Sequence, residues 1–429
     1  MTMDKTDKTE TSMTYEIVTI TPEEFDEFSM HHPQGNFQQS LGMVNVAKHH
    51  ADAFDFVGVR REGALVAACS IAYERGGFGE RGYIWLGPLC DAHDEGLLAT
   101  MTDGIRRSAR RHHAVSVICW PNLVYQQRDS QGEPDGTPDD ASLKAYESLG
   151  WRHAGFTRGY GAVVNRWVYV KDLTGLGDGP ALMKSFDKRT QWSVKRSLSM
   201  GVRVRELGID ELDVFEKIET ATAERRHFRG RGLEYFRQFK QAFGDKSHFM
   251  VAEIHLDEYL ADMTAKRDAL KAKVEGLQAK YDERPTTRIE RQLGEEGRNL
   301  AAAEKRLAEA AEFAKDGDVL PAAASLFVEH PNEVVYLFSG SVERYKPFYA
   351  SALIQYEAML HLCVERGVNR YNFYGIDGIF DDPDDEGRGV LEFKQGFNGN
   401  VEELLGEFTL PVDKLRFGVS ELAHKVLKR

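Results

Sequence analysis

The chain has 429 residues, enough for two domains or more, and it contains no apolar run of about 18 residues that would predict a membrane-spanning helix. Hydrophobic residues make up 42% and charged residues 29%, the balance of an ordinary globular protein. The net charge of −13 argues against a general nucleic-acid binder, so any contact with RNA must rely on a local concentration of positive charge.

The N-terminus and the cysteines indicate a cytoplasmic protein. Residues 1–13 are polar and lack the apolar segment of a secretory signal, which predicts a disordered leader. The four cysteines form neither a Cys-x-x-Cys pair nor a zinc-binding spacing: Cys69, Cys90, Cys119 and Cys363. We therefore expect buried, reduced thiols and no metal site.

The first predicted domain spans residues 14–164 and alternates strands with helices. It opens with a strand at Tyr15–Ile20, followed by a helix that Thr21 caps, with Glu24 completing a capping box. A hairpin, a helix over about 94–112 and several shorter elements follow. This order predicts one complete α/β module.

The second predicted domain spans residues 165–408. A strand at Trp167–Val170 is followed by a helix from Ala181 to about Met200 that is rich in lysine and arginine. A strand, two helices and another strand come next, and the pattern resumes at Val319. The order repeats the plan of the first domain without a repeat of individual residues, so duplication is inferred from topology.

A charged segment over 256–315 interrupts the second domain. Leucines and similar residues recur every seven positions on both sides of a break at Pro285. This heptad spacing predicts an antiparallel coiled-coil arm, with Arg267 and Glu296 at seam positions where they would fix the register or the choice of partner. A rigid solvated arm and a surface for a protein partner are both open.

The stretch from Val334 to Phe408 carries the most informative pattern. An apolar strand leads into a helix from about Pro347 to Gly367, and a second strand ends at a glycine-flanked turn. After an acidic loop, Leu391–Phe397 alternates apolar and polar residues, which predicts a further strand. That strand would hold Lys394 between two aromatic residues.

These motifs resemble those of the FemABX family of aminoacyl-tRNA-dependent peptidoglycan peptidyltransferases. The resemblance rests on the order and spacing of Tyr336 with Ser339-Gly340, Lys346-Pro347, Tyr374-Gly375-Ile376-Asp377-Gly378, and Phe393-Lys394 with Gly396-Phe397. It implies an α/β fold of two acetyltransferase-like (GNAT) domains in tandem. The coiled-coil arm would be inserted in the second domain, and a C-terminal helix over 409–429 would pack back on the first.

The resemblance also implies a binding site for a substrate diphosphate. The segment from Lys184 to Lys240 holds fourteen basic and nine acidic residues, a local excess that suits phosphate recognition. Within it Arg231 and Tyr235 match family residues that meet a diphosphate, and Arg225 matches another arginine with a more structural character. In the first domain Lys48 matches a second diphosphate-binding residue.

Lys394 is the expected catalytic residue. The implied reaction is aminolysis of an aminoacyl ester, in which charge develops on the ester carbonyl oxygen and then on the departing ribose oxygen. A lysine beside Phe393 in a partly desolvated site can stabilise that charge, although a lysine that caps a strand remains the structural alternative. Tyr336 and Tyr374 are expected to line the same cleft.

The resemblance therefore implies an aminoacyltransferase that adds an amino acid to the side-chain amine of residue 3 of a peptidoglycan stem peptide. Its partners would be aminoacyl-tRNA, as co-substrate without a further cofactor, and either UDP-MurNAc-pentapeptide or lipid II. A lipid-linked acceptor would add a peripheral contact at the inner face of the plasma membrane. The alternatives are an acyl-CoA-dependent N-acyltransferase of the same fold and a non-catalytic coiled-coil scaffold.

Overall fold

The computed structural model describes residues 14–161, 163–227 and 229–427, so the predicted leader at 1–13 lies outside the described residues. The first part of the chain forms strands and helices in this order: β1 (Tyr15–Thr19), α1 (Pro22–His31), α2 (Leu41–Ala47), β2 (Ala53–Arg61), β3 (Ala64–Gly76), β4 (Gly79–Ile84), α3 (Glu95–Arg111), β5 (Ser116–Cys119), β6 (Val124–Arg128), β7 (Pro134–Asp135), α4 (Asp140–Ser148) and β8 (Arg152–His153).

The second part begins at Trp167 and contains a long helical insertion. Its elements are β9 (Trp167–Asp172), α5 (Gly179–Lys184), α6 (Lys188–Ser199), β10 (Val202–Glu206), α7 (Leu212–Arg225), α8 (Leu233–Phe243), β11 (Ser247–His255), α9 (Leu256–Glu283), α10 (Thr287–Phe313), β12 (Val319–His330), β13 (Glu333–Ser341), α11 (Ala350–Ala358), β14 (Arg370–Ile376), α12 (Arg388–Gln395), β15 (Asn400–Leu404), β16 (Phe408–Pro411) and α13 (Lys414–Leu427). A π-helical turn at Met359–Cys363 and a 3-10 turn at Val364–Arg366 extend α11.

Among the described residues the strands form two sheets that repeat one plan. The first has the order β1-β2-β3-β4-β5-β16-β8, and the second has the order β10-β11-β12-β13-β14-β9-β15-β6-β7. Each contains one parallel pair, β4 with β5 and β13 with β14, and a helix connects the strands of each pair. This repetition confirms the expected tandem GNAT-like α/β fold.

The two sheets exchange strands, so they do not follow the predicted boundary at residue 164. The hairpin β6–β7 precedes that boundary and joins the second sheet through β15. In return β16, near the end of the chain, pairs with both β5 and β8 of the first sheet. α13 then packs on the same half, where Arg152 lies over the ring of Phe417 and reaches Glu421.

The helices α9 and α10 form the arm within the range predicted from the heptads. Buried residues lie near its base: Leu256, Tyr259, Met263, Ala303 and Ala310. Further out, the Lys273 ammonium lies 2.6 Å from the Glu296 carboxylate on the opposite helix, a contact that fixes the register of the two helices. Arg267 instead pairs with its neighbour Asp268.

Both faces of the second sheet are covered by hydrophobic cores. One core includes residues of α6, α11 and the base of the arm, and the other includes the aromatic side chains of α7 and α8. Phe37 and Val46 from the first half belong to this second core, because α2 packs against α8. Helix α2 thus fixes the two halves against each other. No helix of the described residues is long and apolar enough to cross a membrane.

A nearly buried ionic cluster ties three strands of the second sheet together. The Arg370 guanidinium donates to both carboxylate oxygens of Glu402, at 2.6 Å each, and to Glu333 at 3.0 Å. The two glutamates are nearly inaccessible to solvent, with 7–8% of their side chains exposed. Arg370 is the cation that contacts both carboxylates within the described residues, and the Asn372 amide also donates to Glu333 at 3.0 Å.

We predict that Arg370→Met lowers the free energy of unfolding by about 3–5 kcal/mol, since it leaves two buried carboxylates without a cation. Arg203→Met is the matched control, because Arg203 pairs with Glu258 at the surface and its loss should leave the free energy of unfolding nearly unchanged. Chemical denaturation of both variants measures the difference. Equal losses in the two variants would contradict the prediction.

Candidate active site

The strands β13 and β14 separate at the end where the candidate residues gather. They pair in parallel at Val334 with Tyr371 and at Val335 with Asn372, and within the described residues no further pairs follow. Beyond this point the carbonyl groups of β14 need other donors, because buried backbone groups are rarely left unpaired. The gap opens toward the C-terminal ends of two parallel strands, a common position for ligand sites in α/β folds.

The end of β14 has an irregular backbone that only a few residue types allow. The register with β9 shifts between Asn372 and Gly375, and Tyr374 has a left-handed φ of 62°. A side chain at Gly375 would collide with Asn165, and one at Gly378, where φ is 74°, would lie 2.5 Å from the Trp167 ring. The glycines that flank the turn are therefore required by close packing and by backbone conformation.

Lys394 lies on α12, and its side chain fills the gap between β13 and β14. Its ammonium donates to the carbonyl oxygens of Gly375 at 2.6 Å and Tyr374 at 3.4 Å, and the residue is 4% exposed. The predicted strand at Leu391–Phe397 is wrong, because Leu391–Gln395 form the larger part of α12 and Gly396 and Phe397 directly follow that helix. The buried positions Leu391, Lys394 and Phe397 recur every three residues, and this helical spacing outweighs the apparent alternation.

Burial controls the charge of Lys394. Removal from water lowers the pKa of its ammonium from 10.5 to about 7, while the charge of Asp377 opposes this shift. Asp377 is itself buried, its side chain accepts the Ile379 N–H at 3.0 Å, and burial together with the neighbouring Asp385 carboxyl raises its pKa. Near neutral pH the lysine can therefore carry or lose its proton.

A row of aromatic rings connects two of the predicted residues, Tyr336 and Phe393. Tyr336 lies edge-on to Phe373 at 6.3 Å between ring centroids, Phe373 lies 5.2 Å from Phe397, and Phe397 lies 5.4 Å from Phe393. The Tyr336 hydroxyl donates to Ser339 at 2.6 Å, and burial raises its pKa. Tyr336 thus packs at one end of a row of rings whose other end is Phe393, the residue next to Lys394.

Tyr374 reaches the other half of the molecule. Its hydroxyl accepts a hydrogen bond from the Gln38 amide at 3.5 Å, and Phe37 lies edge-on to its ring at 6.4 Å. Burial raises the pKa of the Tyr374 hydroxyl to about 12, with a further contribution from Tyr235 and an opposing one from Arg231. These interactions bring Tyr374 close to the predicted diphosphate residues.

The predicted diphosphate residues lie on both sides of the contact between the two halves, which we call the junction. The Arg231 guanidinium lies 5.3 Å from the centroid of the Tyr235 ring and is exposed. Lys48 directly follows α2, where its ammonium donates to Asn45 at 2.8 Å and is exposed. Arg225 instead donates to the Ser341 carbonyl at 3.1 Å and lies 3.7 Å from Glu343, so its contacts are structural.

Sequence analysis did not select Glu219, which lies next to this junction. Its residue is 1% exposed, and neither carboxylate oxygen has a hydrogen-bond partner among the described residues. Burial raises the pKa of Glu219, with a contribution from Glu216 and opposition from Arg231. The detectable signal was a glutamate on the apolar stripe of α7, which Phe215 and Ile218 also occupy. Within the described part of the chain no group of three acidic, histidine or cysteine side chains can hold a metal ion.

Comparison with known proteins gives consistent matches over nearly the whole chain. A model of the FemAB family matches residues 20–425. The chain is 28% identical to aminoacyltransferase FemA of Staphylococcus epidermidis over 416 residues, covering 95% of this chain and 99% of that protein. It is 29% identical to aminoacyltransferase FemB of the same species, covering 93% and 95%. The crystal structure of FemX shares the fold, with a TM-score of 0.75, 20% identity and coverage of 94% and 99%.

We predict that the charge of Lys394 makes stability depend on pH. Its pKa is about 7 in the folded protein and has the ordinary value of 10.5 in the unfolded chain, so the unfolded chain binds more protons between these values. The free energy of unfolding of the native sequence, relative to Lys394→Met, should therefore rise from pH 7 to 9, by up to about 1.4 kcal/mol per pH unit.

Chemical denaturation at several pH values measures this difference. Lys346→Met is the control, because the Lys346 side chain is 75% exposed and should give a difference that does not change with pH. A difference for Lys394→Met that stays constant between pH 7 and 9 would contradict the lowered pKa.

Proposed function

The chain belongs to the FemAB family, and on that premise we propose that it transfers an amino acid from aminoacyl-tRNA to a peptidoglycan precursor. The acceptor is the side-chain amine of residue 3 of the stem peptide, and the product begins or extends an interpeptide bridge. The precursor is either UDP-MurNAc-pentapeptide or lipid II, and the lipid-linked form would bring the protein to the membrane surface. The buried ammonium of Lys394, where β13 and β14 diverge, is the observation that carries the proposal.

The reaction needs little from the protein beyond placement and charge stabilisation. The acceptor amine forms a C–N bond to the ester carbonyl carbon, and the bond from that carbon to the ribose oxygen breaks. The amine loses a proton, and the ribose hydroxyl gains one as it leaves. Lys394 stabilises the negative charge that develops on oxygen in a site of low polarity, where such stabilisation is strongest.

The Lys394 ammonium is already held by hydrogen bonds before any substrate binds. In the free protein the carbonyls of Tyr374 and Gly375 accept its hydrogen bonds. A substrate oxygen that enters the gap between β13 and β14 would share the same donor. The pKa near 7 lets the ammonium also give up its proton to the leaving ribose oxygen.

The diphosphate of the precursor would bind at the junction of the two halves. Arg231 offers a fork of donors at fixed charge, which suits phosphate oxygens, and Tyr235 holds it through the face of its ring. Lys48 would contribute a second cation from the first half. Tyr374 and Gln38 connect this junction to the backbone that Lys394 holds.

We expect the purified protein, with a tRNA-charging mixture, all amino acids and a UDP-muropeptide, to raise the mass of the muropeptide by one aminoacyl residue. Lys394→Ala should abolish the step, because the developing charge loses its partner. Mass spectrometry of the muropeptide measures it and names the amino acid. No step with either the soluble or the lipid-linked precursor would contradict the proposal.

We also expect Arg231→Ala to raise the KM for the UDP-muropeptide by about tenfold or more, since a charge-assisted contact to phosphate is worth about 1.5–3 kcal/mol. Arg225→Ala is the matched control in the same segment and should leave this KM unchanged, because Arg225 binds Ser341 and Glu343. Steady-state kinetics at saturating aminoacyl-tRNA separates the two. The same KM increase in both variants would remove Arg231 from the diphosphate site.

A further inference from the structure

Two large aromatic rings are exposed beside each other on the second half. Trp192 on α6 is 53% exposed, and Tyr349, the residue before α11, is 36% exposed. Their rings meet edge to face at 5.1 Å between centroids. Exposed tryptophan is uncommon because its large apolar surface favours burial, so this aromatic pair calls for a functional account.

Four cations surround Trp192 on the same helix. Lys188 and Arg189 lie one turn before it, and Lys195 and Arg196 lie one turn after it. Residues three and four positions apart share one face of a helix, so these side chains flank the indole ring. Among the described residues none of the four has an ion-pair partner, and α6 itself contains no acidic residue. This concentration stands out in a chain with a net charge of −13.

The backbone holds Tyr349 in place at some cost. Its φ of 56° is left-handed, a conformation that a tyrosine adopts rarely. The Tyr349 N–H donates to the Lys346 carbonyl at 3.1 Å, and its own carbonyl accepts from Ala352 at 3.0 Å. These bonds end a 3-10 segment and start α11, and they hold the tyrosine ring against Trp192.

The helix that carries Trp192 also contacts the segment next to Lys394. The N–H of Asp187, which caps α6, donates to the Gly396 carbonyl at 3.0 Å, two residues beyond Lys394. Thr190 lies against Gly396, and α6 and α11 pack together. One helix thus carries Trp192 and its cations and, at its first turn, touches the segment that ends α12.

We propose that the aromatic pair and its four cations bind the single-stranded 3′ end of the aminoacyl-tRNA, a role that rests on the proposed function. A base stacks on the exposed Trp192 ring, and Lys188, Arg189, Lys195 and Arg196 contact the phosphates on either side. Aromatic rings between cations are the usual means of binding single-stranded RNA, because every base has a face that stacks and every linkage has a charge. The ester at the 3′ terminus is thereby directed toward Lys394.

The test measures binding of a fluorescently labelled RNA minihelix that ends in the single-stranded 3′ sequence of tRNA. Trp192→Ala should weaken binding by about tenfold, the loss expected for one stacked base. Leu198→Ala is the matched control, because Leu198 lies on the same helix and is 49% exposed. It should bind as tightly as the native protein. A minihelix without the single-stranded end should not distinguish Trp192→Ala from the native protein.

Salt dependence tests the cations separately. Each of Lys188→Gln and Lys195→Gln should reduce the slope of log affinity against log salt concentration by about 0.7, the value for one contact to a single-stranded phosphate. In turnover assays Trp192→Ala should raise the KM for the aminoacylated minihelix and leave the KM for the UDP-muropeptide unchanged.

The outcomes separate this proposal from the proposed function, since the binding assay involves no ester and no acceptor. A native protein that binds the minihelix, with Trp192→Ala binding it equally well, would overturn the aromatic platform and leave the aminoacyl transfer intact. The same holds for an equal loss in Leu198→Ala. A native protein that binds no minihelix would also overturn the aromatic platform, while the mass step of the muropeptide tests the aminoacyl transfer independently.

Discussion

A single buried ammonium group determines the geometry of the candidate site. Two parallel strands diverge, and the carbonyls that are freed at Tyr374 and Gly375 are satisfied by Lys394 from a separate helix. Burial of a cation is unfavourable unless such donors and acceptors match, so the helix, the bulged strand and the glycine turn are fixed relative to one another. The same desolvation that makes this arrangement demanding also brings the lysine pKa into the neutral range.

The site depends equally on the contact between the two halves. Helix α2 of the first half packs on α8 of the second, and Gln38 reaches Tyr374 across the junction. Lys48 and Arg231 lie near this contact, while Lys394 lies at the end of the second sheet. In the proposed reaction a long precursor would hold its diphosphate at the junction and extend its peptide toward Lys394.

The sequence predicted the architecture better than it predicted side-chain environments. Heptads identified the arm, and spaced motifs identified the tandem fold, because both are repeated signals. The prediction of a strand at Leu391–Phe397 was wrong because the pattern of seven residues does not distinguish a short helix from a strand. The long aliphatic part of the Lys394 side chain occupies a position where an apolar residue would have indicated the helix. Glu219 and the Trp192–Tyr349 pair were not recognised as special, since burial without a partner and exposure of an aromatic ring are properties of tertiary structure.

The strand exchange has a consequence for how the protein is made. The N-terminal sheet lacks its strand between β5 and β8 until Phe408–Pro411 has been synthesised. During translation the first sheet must therefore wait, with a gap between β5 and β8, until the second half has been synthesised as far as β16. The strands that flank this gap expose unpaired backbone groups that can join another chain, so the nascent protein is vulnerable to misassembly until β16 pairs with β5 and β8. Folding of the two sheets is thus completed together, because each needs a strand from the other part of the chain.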